Sequence, residues 1–151
     1  MAIGAGTAIE FFGTQDTVTS SSSAVVNGAF SVAADAPTWT NDDDAPVAAV
    51  ILSATFSVTP TANSIVNLFA RMMNVQSTND QDVPDANFTH TYLGSFPLNN
   101  VTSTQFIAID VTLPNTKTSQ EYDFYIQNSG GQTISAGWGL YVTPKTIGPH
   151  A

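Results

Sequence analysis

The sequence predicts an all-β fold: a single-domain β-sandwich, jelly-roll-like, with about eight antiparallel strands and an extended N-terminal arm. Two observations support this prediction. Apolar and polar residues alternate along most of the chain, as in strands that bury one face. Gly, Pro, Asn and Asp separate the alternating segments at the spacing of a double-sheet sandwich. A chain of 151 residues is long enough to bury one core without disulfides.

Three regions are predicted along the chain. The N-terminal arm and first strand occupy 1–12, the β-sandwich domain occupies 13–145, and a C-terminal tail occupies 146–151. Within the first region, Ala8 to Phe12 has the composition of a short strand. No internal repeat or linker divides the sandwich, so we expect one domain.

The segments after the first strand carry weaker patterns. Gly13 to Ser23 is a polar tract, and Val25 to Phe30 is either a tight hairpin or a strand with a glycine bulge, because Asn-Gly accepts positive φ angles. Ala34 to Pro46 is predicted to be a loop, since it contains two prolines and the run Asp42-Asp43-Asp44.

Four later segments alternate clearly and predict rows of inward-facing side chains. The rows lie in Val47 to Val58, Gln105 to Leu113, Tyr122 to Ile126 and Ile134 to Val142. Their predicted inward residues are Val50, Leu52, Ala54, Phe56, Val58, Ile107, Ile109, Val111, Leu113, Tyr122, Phe124, Ile126, Ile134, Ala136, Trp138, Leu140 and Val142.

Two segments between these rows are harder to interpret. Ser64 to Val75 fits a helical period about as well as a strand with two apolar faces, and we favour the strand because its neighbours are strands. If it is a strand, another subunit could cover one of its faces. Asn87 to Leu98 is predicted to be a strand with Phe88, His90, Tyr92 and Phe96 on one face.

The charge balance excludes several classes of function. Arg71, Lys117 and Lys145 are the only strong bases against twelve acids, which gives a net charge of −9. Binding to nucleic acid or to an anionic membrane requires clustered Lys and Arg, so neither is expected. The sequence begins without a basic, apolar leader, and we expect a protein made in the cytoplasm of its cell.

Catalytic and metal-binding constellations are also weak, so we expect no enzyme and no cofactor. There is no cysteine, and the two histidines, His90 and His150, have no nucleophile motif beside them. Glu121, Asp123 and Asp110 are in the outward phase of their strands, as solvated acids are. The runs Asp42-Asp43-Asp44 and Asp80, Asp82, Asp85 could bind calcium, but neither has the spacing of a calcium loop.

Exposed aromatic residues are the remaining candidates for binding. Trp39 lies in the predicted acidic loop, and Tyr141 lies in the outward phase of the last strand, so either could contact a glycan or a partner protein. Trp138 is in the inward phase and is assigned to the core.

Several segments of the chain resemble small virion structural proteins of tailed phages. The resemblance covers roughly Val47 to Lys145 and is carried by Leu68-Phe69-Ala70-Arg71, Phe96, Leu113-Pro114-Asn115, Glu121-Tyr122-Asp123-Phe124-Tyr125-Ile126-Gln127-Asn128, Ser135-Ala136-Gly137-Trp138-Gly139-Leu140 and Thr143-Pro144-Lys145.

Proteins of this kind resemble capsid decoration, or cement, proteins. The resemblance implies a jelly-roll domain, often a homotrimer, that binds the major capsid protein on the outer surface of the expanded head and stabilises it. It also implies an N-terminal arm that reaches neighbouring subunits, for which Ile3, Ile9, Phe11 and Phe12 are the candidate contact residues. The alternatives are a carbohydrate-binding module or adhesin on the virion, and a tail or head-fibre component.

Overall fold

Nine β-strands and one short 3-10 turn make up the described chain. The computed structural model describes residues 8–74, 78–89 and 91–149. The strands are β1 (Ala8–Phe12), β2 (Asp16–Thr19), β3 (Thr38–Asn41), β4 (Val47–Ala54), β5 (Ile65–Met72), β6 (Tyr92–Pro97), β7 (Gln105–Thr112), β8 (Gln120–Ser129) and β9 (Gly139–Pro149), and the 3-10 turn is Ala33–Asp35. Within these residues, no helix has the length and apolar character needed to cross a membrane.

The strands form two antiparallel sheets that pack face to face. The five-stranded sheet has the order β1-β9-β4-β7, with β2 also paired to β9, and the four-stranded sheet has the order β3-β8-β5-β6. Both β1 and β2 pair with β9, on either side of the break at 13–15, so they act as one interrupted strand. With that strand counted once, the eight strands form sheets of order 1-8-3-6 and 2-7-4-5, which is the order of a jelly roll. The predicted fold class is therefore confirmed.

The core lies between the sheets and contains most of the predicted inward rows. Val50, Leu52, Ala54 and Phe56 of the β4 row are all buried. The rows of β7 and β8 are also inward, and Trp138 is 1% exposed just before β9. Two predicted members are wrong, because Val58 and Ala136 are exposed. Each lies in a turn beyond the regular pairing, where alternation no longer fixes the direction of the side chain.

Two short strands were missed where polar residues and proline dominate the sequence. The polar tract 13–23 contains β2, and the predicted loop from Ala34 to Pro46 contains β3. Each has four residues, too few to show a period, and each forms because a longer strand pairs with it: β9 with β2 and β8 with β3.

The ambiguous segment from Ser64 to Val75 contains the strand β5, as favoured. Its inner residues Val66, Leu68 and Ala70 are in the core. On its outer face, Phe69 packs with residues of the same chain, namely Ala36, Tyr125 and Phe30. The same chain therefore covers the part of this outer face for which another subunit was considered.

Three further predictions about local structure are corrected. Val25 to Phe30 is neither a hairpin nor a regular strand, since Val25 and Phe30 form isolated bridges on either side of a turn at Gly28. The predicted strand from Asn87 begins only at Tyr92, and a bulge in its pairing with β5 leaves Tyr92 exposed while Phe96 is buried. His90 lies outside the described residues. Residues 146–149, predicted to be tail, belong to β9 and pair with β1.

Candidate functional site

The outer face of the five-stranded sheet is unusually apolar for a face that points away from the core. The sequence of β4 is VAAVILSA, and the alternate residues Ala48, Val50 and Leu52 point inward, so Val47, Ala49 and Ile51 point outward. Antiparallel sheets usually alternate apolar-in with polar-out, whereas a strand that is apolar on both faces is typical of a sheet covered on both sides. Sequence analysis identified the inward row of β4 but not this outward one.

Strand register extends this apolar surface across the sheet. Ile51 pairs with Ala108 of β7 on one side and with Tyr141 of β9 on the other, and cross-strand partners share a face. Phe106, which pairs with Ser53 at the edge, is 70% exposed. We define the outer face as Val47, Ala49, Ile51, Ser53, Phe106, Ala108, Tyr141 and Thr143. These eight residues are uncharged, whereas Asp110 and Lys145, the cross-strand partners of Ala49 and Val47, share the face and form an ion pair with each other at one end of it.

A cluster of charged residues borders the outer face at one end. The Lys145 Nζ of β9 lies 2.7 Å from Asp110 Oδ2 of β7 and 3.4 Å from Glu10 Oε1 of β1, and 5.8 Å from the centre of the Phe12 ring. The hydrogen bond that Lys145 donates to Asp110 raises the pKa of Lys145 above its ordinary value; desolvation opposes this shift, and the bond that Lys145 donates to Glu10 adds to it. Lys145 therefore stays protonated, and this cluster joins three strands rather than supplying a nucleophile.

Beside this cluster, β1 and the end of β9 form a two-stranded ribbon. The ribbon consists of Ala8–Phe12 paired with 145–149. Phe12 and Ile147 are 63% and 66% exposed on the face that also carries Lys145, and Phe11 is 45% exposed on the opposite face. Of the predicted arm residues, Ile9, Phe11 and Phe12 thus lie on this ribbon, whereas Ile3 lies outside the described residues.

Two cavities lie against the base of the ribbon. One, of about 260 Å³, is lined by Phe11, Phe12, Gly13, Asp43, Ala45, Pro144, Lys145 and Thr146. The other, of about 140 Å³, is lined by Glu10, Pro46, Val47, Lys145, Thr146 and Ile147. Their walls are mainly apolar side chains around the one lysine, so they are suited to holding an apolar side chain of a partner.

Trp39 is part of the core and not an exposed aromatic platform, which corrects the sequence-based prediction. It is 7% exposed in β3, its ring centre lies 6.1 Å from that of Tyr122 and 5.8 Å from that of Phe124, and its Nε1 donates a 2.8 Å hydrogen bond to Asp16 Oδ2. The missed strand β3 is the reason, because pairing with β8 turns this side chain inward. Tyr141, the other candidate, is half-buried on the outer face.

Of the acids predicted to be solvated on the surface, Asp110 is exposed, whereas the prediction is wrong for Asp123. Asp123 is buried, accepts a 2.8 Å hydrogen bond from Thr38 Oγ1 and lies 3.3 Å from Arg71 Nη1. Asp110 lies in the other sheet, so the two carboxylates do not form a catalytic pair across one strand interface. Asp123 and Arg71 link β3, β8 and β5 on the outside of the four-stranded sheet.

Among the loop acids considered for calcium, Asp44 and Asp80 accept hydrogen bonds from backbone N–H groups. Asp44 Oδ1 accepts from the Ser119 N–H at 2.6 Å, and Asp80 Oδ1 accepts from the Asn74 N–H at 2.7 Å. Among the residues that the structure describes, no three acidic or histidine side chains come together as a metal site would require. These carboxylates therefore act as caps for loop backbone, which is the usual use of Asp in turns.

Comparison with known proteins adds no relative. No protein-family model matches this chain, and no curated protein matches it significantly.

Proposed function

We propose that this chain is a non-enzymatic structural protein of a tailed-phage virion that decorates the outer surface of the capsid and stabilises it. In this proposal the partners are the major capsid protein and further copies of the chain in a homotrimer, and neither nucleic acid, membrane nor cofactor takes part. The resemblance of the segments between Val47 and Lys145 to such proteins motivates the proposal. The jelly-roll order of the strands is compatible with it.

The observation that carries the proposal is the outer face of the five-stranded sheet, which is largely apolar away from the Lys145–Asp110 ion pair at one end. A catalyst needs a few reactive groups in a cleft, whereas a cement protein needs a broad area that is buried on contact. The outer face offers such an area, with exposed Phe106 at its edge and Ile51 near its centre. A protein that binds only the expanded lattice shifts the equilibrium toward that lattice by mass action and so stabilises it.

The overall charge is consistent with a partner that is neither nucleic acid nor another acidic surface. All three strong bases are in ion pairs with carboxylates of the same chain: Arg71 with Asp80 and Asp123, Lys117 with Glu121, and Lys145 with Glu10 and Asp110. With a net charge of −9, the chain is repelled by packaged DNA. An external position on the head is compatible with that charge.

Co-sedimentation with heads tests the proposal. Purified protein is mixed with undecorated expanded heads and, separately, with unexpanded proheads, and the pelleted fraction is measured across a titration. We expect saturable pelleting with expanded heads and little with proheads. No pelleting with either would contradict the proposal and would favour a tail or head-fibre component instead.

A matched pair of variants tests whether the outer face makes the contact. Phe106→Lys places a charge on the outer face, and because burying a Phe side chain contributes about 1.5–3 kcal/mol, we expect head affinity to fall roughly tenfold or more. Val32→Lys places the same charge at a residue that is 52% exposed beside the four-stranded sheet, and we expect unchanged affinity. Equal affinities of the two variants for heads would show that the outer face does not make the contact.

The alternative of a glycan-binding adhesin now depends on Tyr141 alone, because Trp39 is buried. A Tyr141→Ala variant that keeps its fold and still binds the same glycan as the wild type on an array would leave that alternative without a residue.

A further inference from the structure

The ribbon has two free backbone edges. Along β1, Ala8–Phe12 pairs with β9 and with no other strand of the described chain. Along β9, the last pair with β4 is Val47 with Lys145, so beyond Lys145 the strand pairs only with β1. Each edge therefore presents backbone N–H and C=O groups that have no strand partner among the described residues.

Residues that usually protect such edges are scarce in the ribbon. A charged side chain, most often lysine, is the common guard against pairing with another chain. The ribbon has one lysine, Lys145, which is only 7% exposed, and one acid, Glu10, which is paired with that lysine. Pro149 ends the strand but leaves the backbone of Thr146, Ile147 and Gly148 available.

Both faces of the ribbon also expose apolar side chains. Phe12 and Ile147 are about two-thirds exposed on one face, and Phe11 is nearly half exposed on the other. The Phe11 ring lies over Gly148, and a Cβ added to Gly148 would be 3.0 Å from Phe11 Cε2. A two-stranded ribbon is marginally stable on its own, so exposed aromatic residues and open edges together indicate a surface that another chain covers.

A second copy of this chain fits the two edges. Ala8–Phe12 and residues 145–149 already pair with one another in antiparallel register, so their backbones and side chains are compatible neighbours. The free edge of β1 in one copy can lie against the free edge of β9 in the next copy in the same antiparallel sense. Lys145 offsets one of the two negative charges of Glu10 and Asp110, which lowers the repulsion between two chains of net charge −9 at this end.

We propose that the ribbon joins copies of this chain head to tail, with the β1 edge of one copy paired to the β9 edge of the next. Such a contact is heterologous and ends only when the copies close into a ring. The cavity of about 140 Å³ at the β9 edge, lined partly by Pro46, Val47 and Ile147, receives an apolar side chain of the incoming strand. The inference deepens the proposed function and rests on it for the number of copies, three.

The mass of the purified protein in solution tests the contact without any capsid. Light scattering across a dilution series is expected to give three times the chain mass of 15.9 kDa for the wild type. Ile147→Lys, which places a charge at the β9 edge, is expected to give single chains with an unchanged circular dichroism spectrum, and Val32→Lys is expected to remain trimeric. A monomeric wild type, or an Ile147→Lys variant that remains trimeric, would overturn the inference.

Cross-linking tests the pairing of the two edges directly. The chain has no cysteine, so Phe12→Cys and Ile147→Cys can each be made as single-cysteine variants. After the two are mixed and allowed to exchange subunits, oxidation is expected to give dimers with one chain of each kind. Dimers formed only between identical variants would show a two-fold contact and overturn the head-to-tail arrangement, as would equal cross-linking by Val32→Cys.

These experiments separate the failure of the inference from the failure of the proposed function. If the wild type is a trimer, the Ile147→Lys variant is a monomer and the wild type does not pellet with heads, the ribbon contact is supported and capsid decoration is contradicted. A wild-type monomer that pellets with expanded heads supports decoration and contradicts the ribbon contact.

Discussion

Replacing Trp39 tests whether this residue stabilises the core or serves as a binding platform. A tryptophan buried to this degree removes roughly 200 Å² from water. At about 25 cal/mol per Å², that burial is worth about 5 kcal/mol. Alanine keeps a small part of the contact, so Trp39→Ala should lower the free energy of unfolding by about 4 kcal/mol, within the range of about 3–5 kcal/mol known for Trp-to-Ala changes in cores.

A second variant separates packing from hydrogen bonding. Trp39→Phe keeps an aromatic ring next to Tyr122 and Phe124 but loses the 2.8 Å hydrogen bond from Nε1 to Asp16. Asp16 is exposed and can be hydrated again, so the loss should be about 1 kcal/mol for the bond, with a smaller additional cost for lost volume.

Urea unfolding followed by far-UV circular dichroism, at one fixed chain concentration, measures both changes. With a slope of about 2 kcal/mol per molar urea, Trp39→Ala should move the midpoint down by roughly 2 M without changing the slope. Val32→Ala, at an exposed residue, should stay within about 0.5 kcal/mol of the wild type. A cost below about 1 kcal/mol for Trp39→Ala would refute its place in the core, and equal costs for both Trp39 variants would refute packing as the main contribution.

Three other predictions concern stability. Burial raises the pKa of Tyr122 above its ordinary value of 10.0, so above pH 10 the folded chain keeps a proton that the unfolded chain loses. The free energy of unfolding should therefore be independent of this group below pH 10 and should fall by up to about 1.4 kcal/mol per pH unit above it. A urea midpoint that does not change in alkaline solution would contradict this. Gly28 and Gly131 have φ angles of +83° and +77°. Gly28→Ala should lower the free energy of unfolding by about 1 kcal/mol, and Gly131→Ala by at least about 2 kcal/mol more, because a Cβ at residue 131 would collide with Thr61. Equal urea midpoints for the two variants would argue against that collision. Asn128, fully buried, donates two hydrogen bonds of 2.7 Å to backbone carbonyls, so Asn128→Ala should cost about 3 kcal/mol by thermal or urea unfolding, and a loss below about 1 kcal/mol would contradict its role.

The sequence predicts best the strands that are long and have an alternating inward row. In β7 and β8, alternation extends over enough residues to give both the strand and its inward row, and the structure confirms both. It fails at β3, whose four residues follow Pro37 and precede an acidic run. There the decisive interaction is with β8, about eighty residues away, and a local pattern does not contain it.

For the candidate site too, local patterns predict some features, whereas features that depend on pairing between distant strands are missed. Trp39 was assigned to a surface because its strand was missed, and the outward row of β4 was overlooked because Val47, Ala49 and Ile51 merge with the inward row into one apolar run. Such a run predicts a strand apolar on both faces, and that signal was available. The ribbon was not predictable in the same way, because Ile147 lay in the presumed tail and its pairing with Glu10 joins the two ends of the described chain.

The position of β9 has a consequence for how the protein folds during synthesis. β1, β2 and β4 all pair with β9, so the five-stranded sheet lacks its central strand until the last part of the described chain has emerged from the ribosome. Until then β4 has β7 as its one partner in this sheet, and pairing between residues far apart in the sequence is slow to form, on the order of milliseconds to seconds. The nascent chain therefore has a long interval in which Val47–Ala54 is open to aggregation, and chaperones or low temperature should improve the soluble yield.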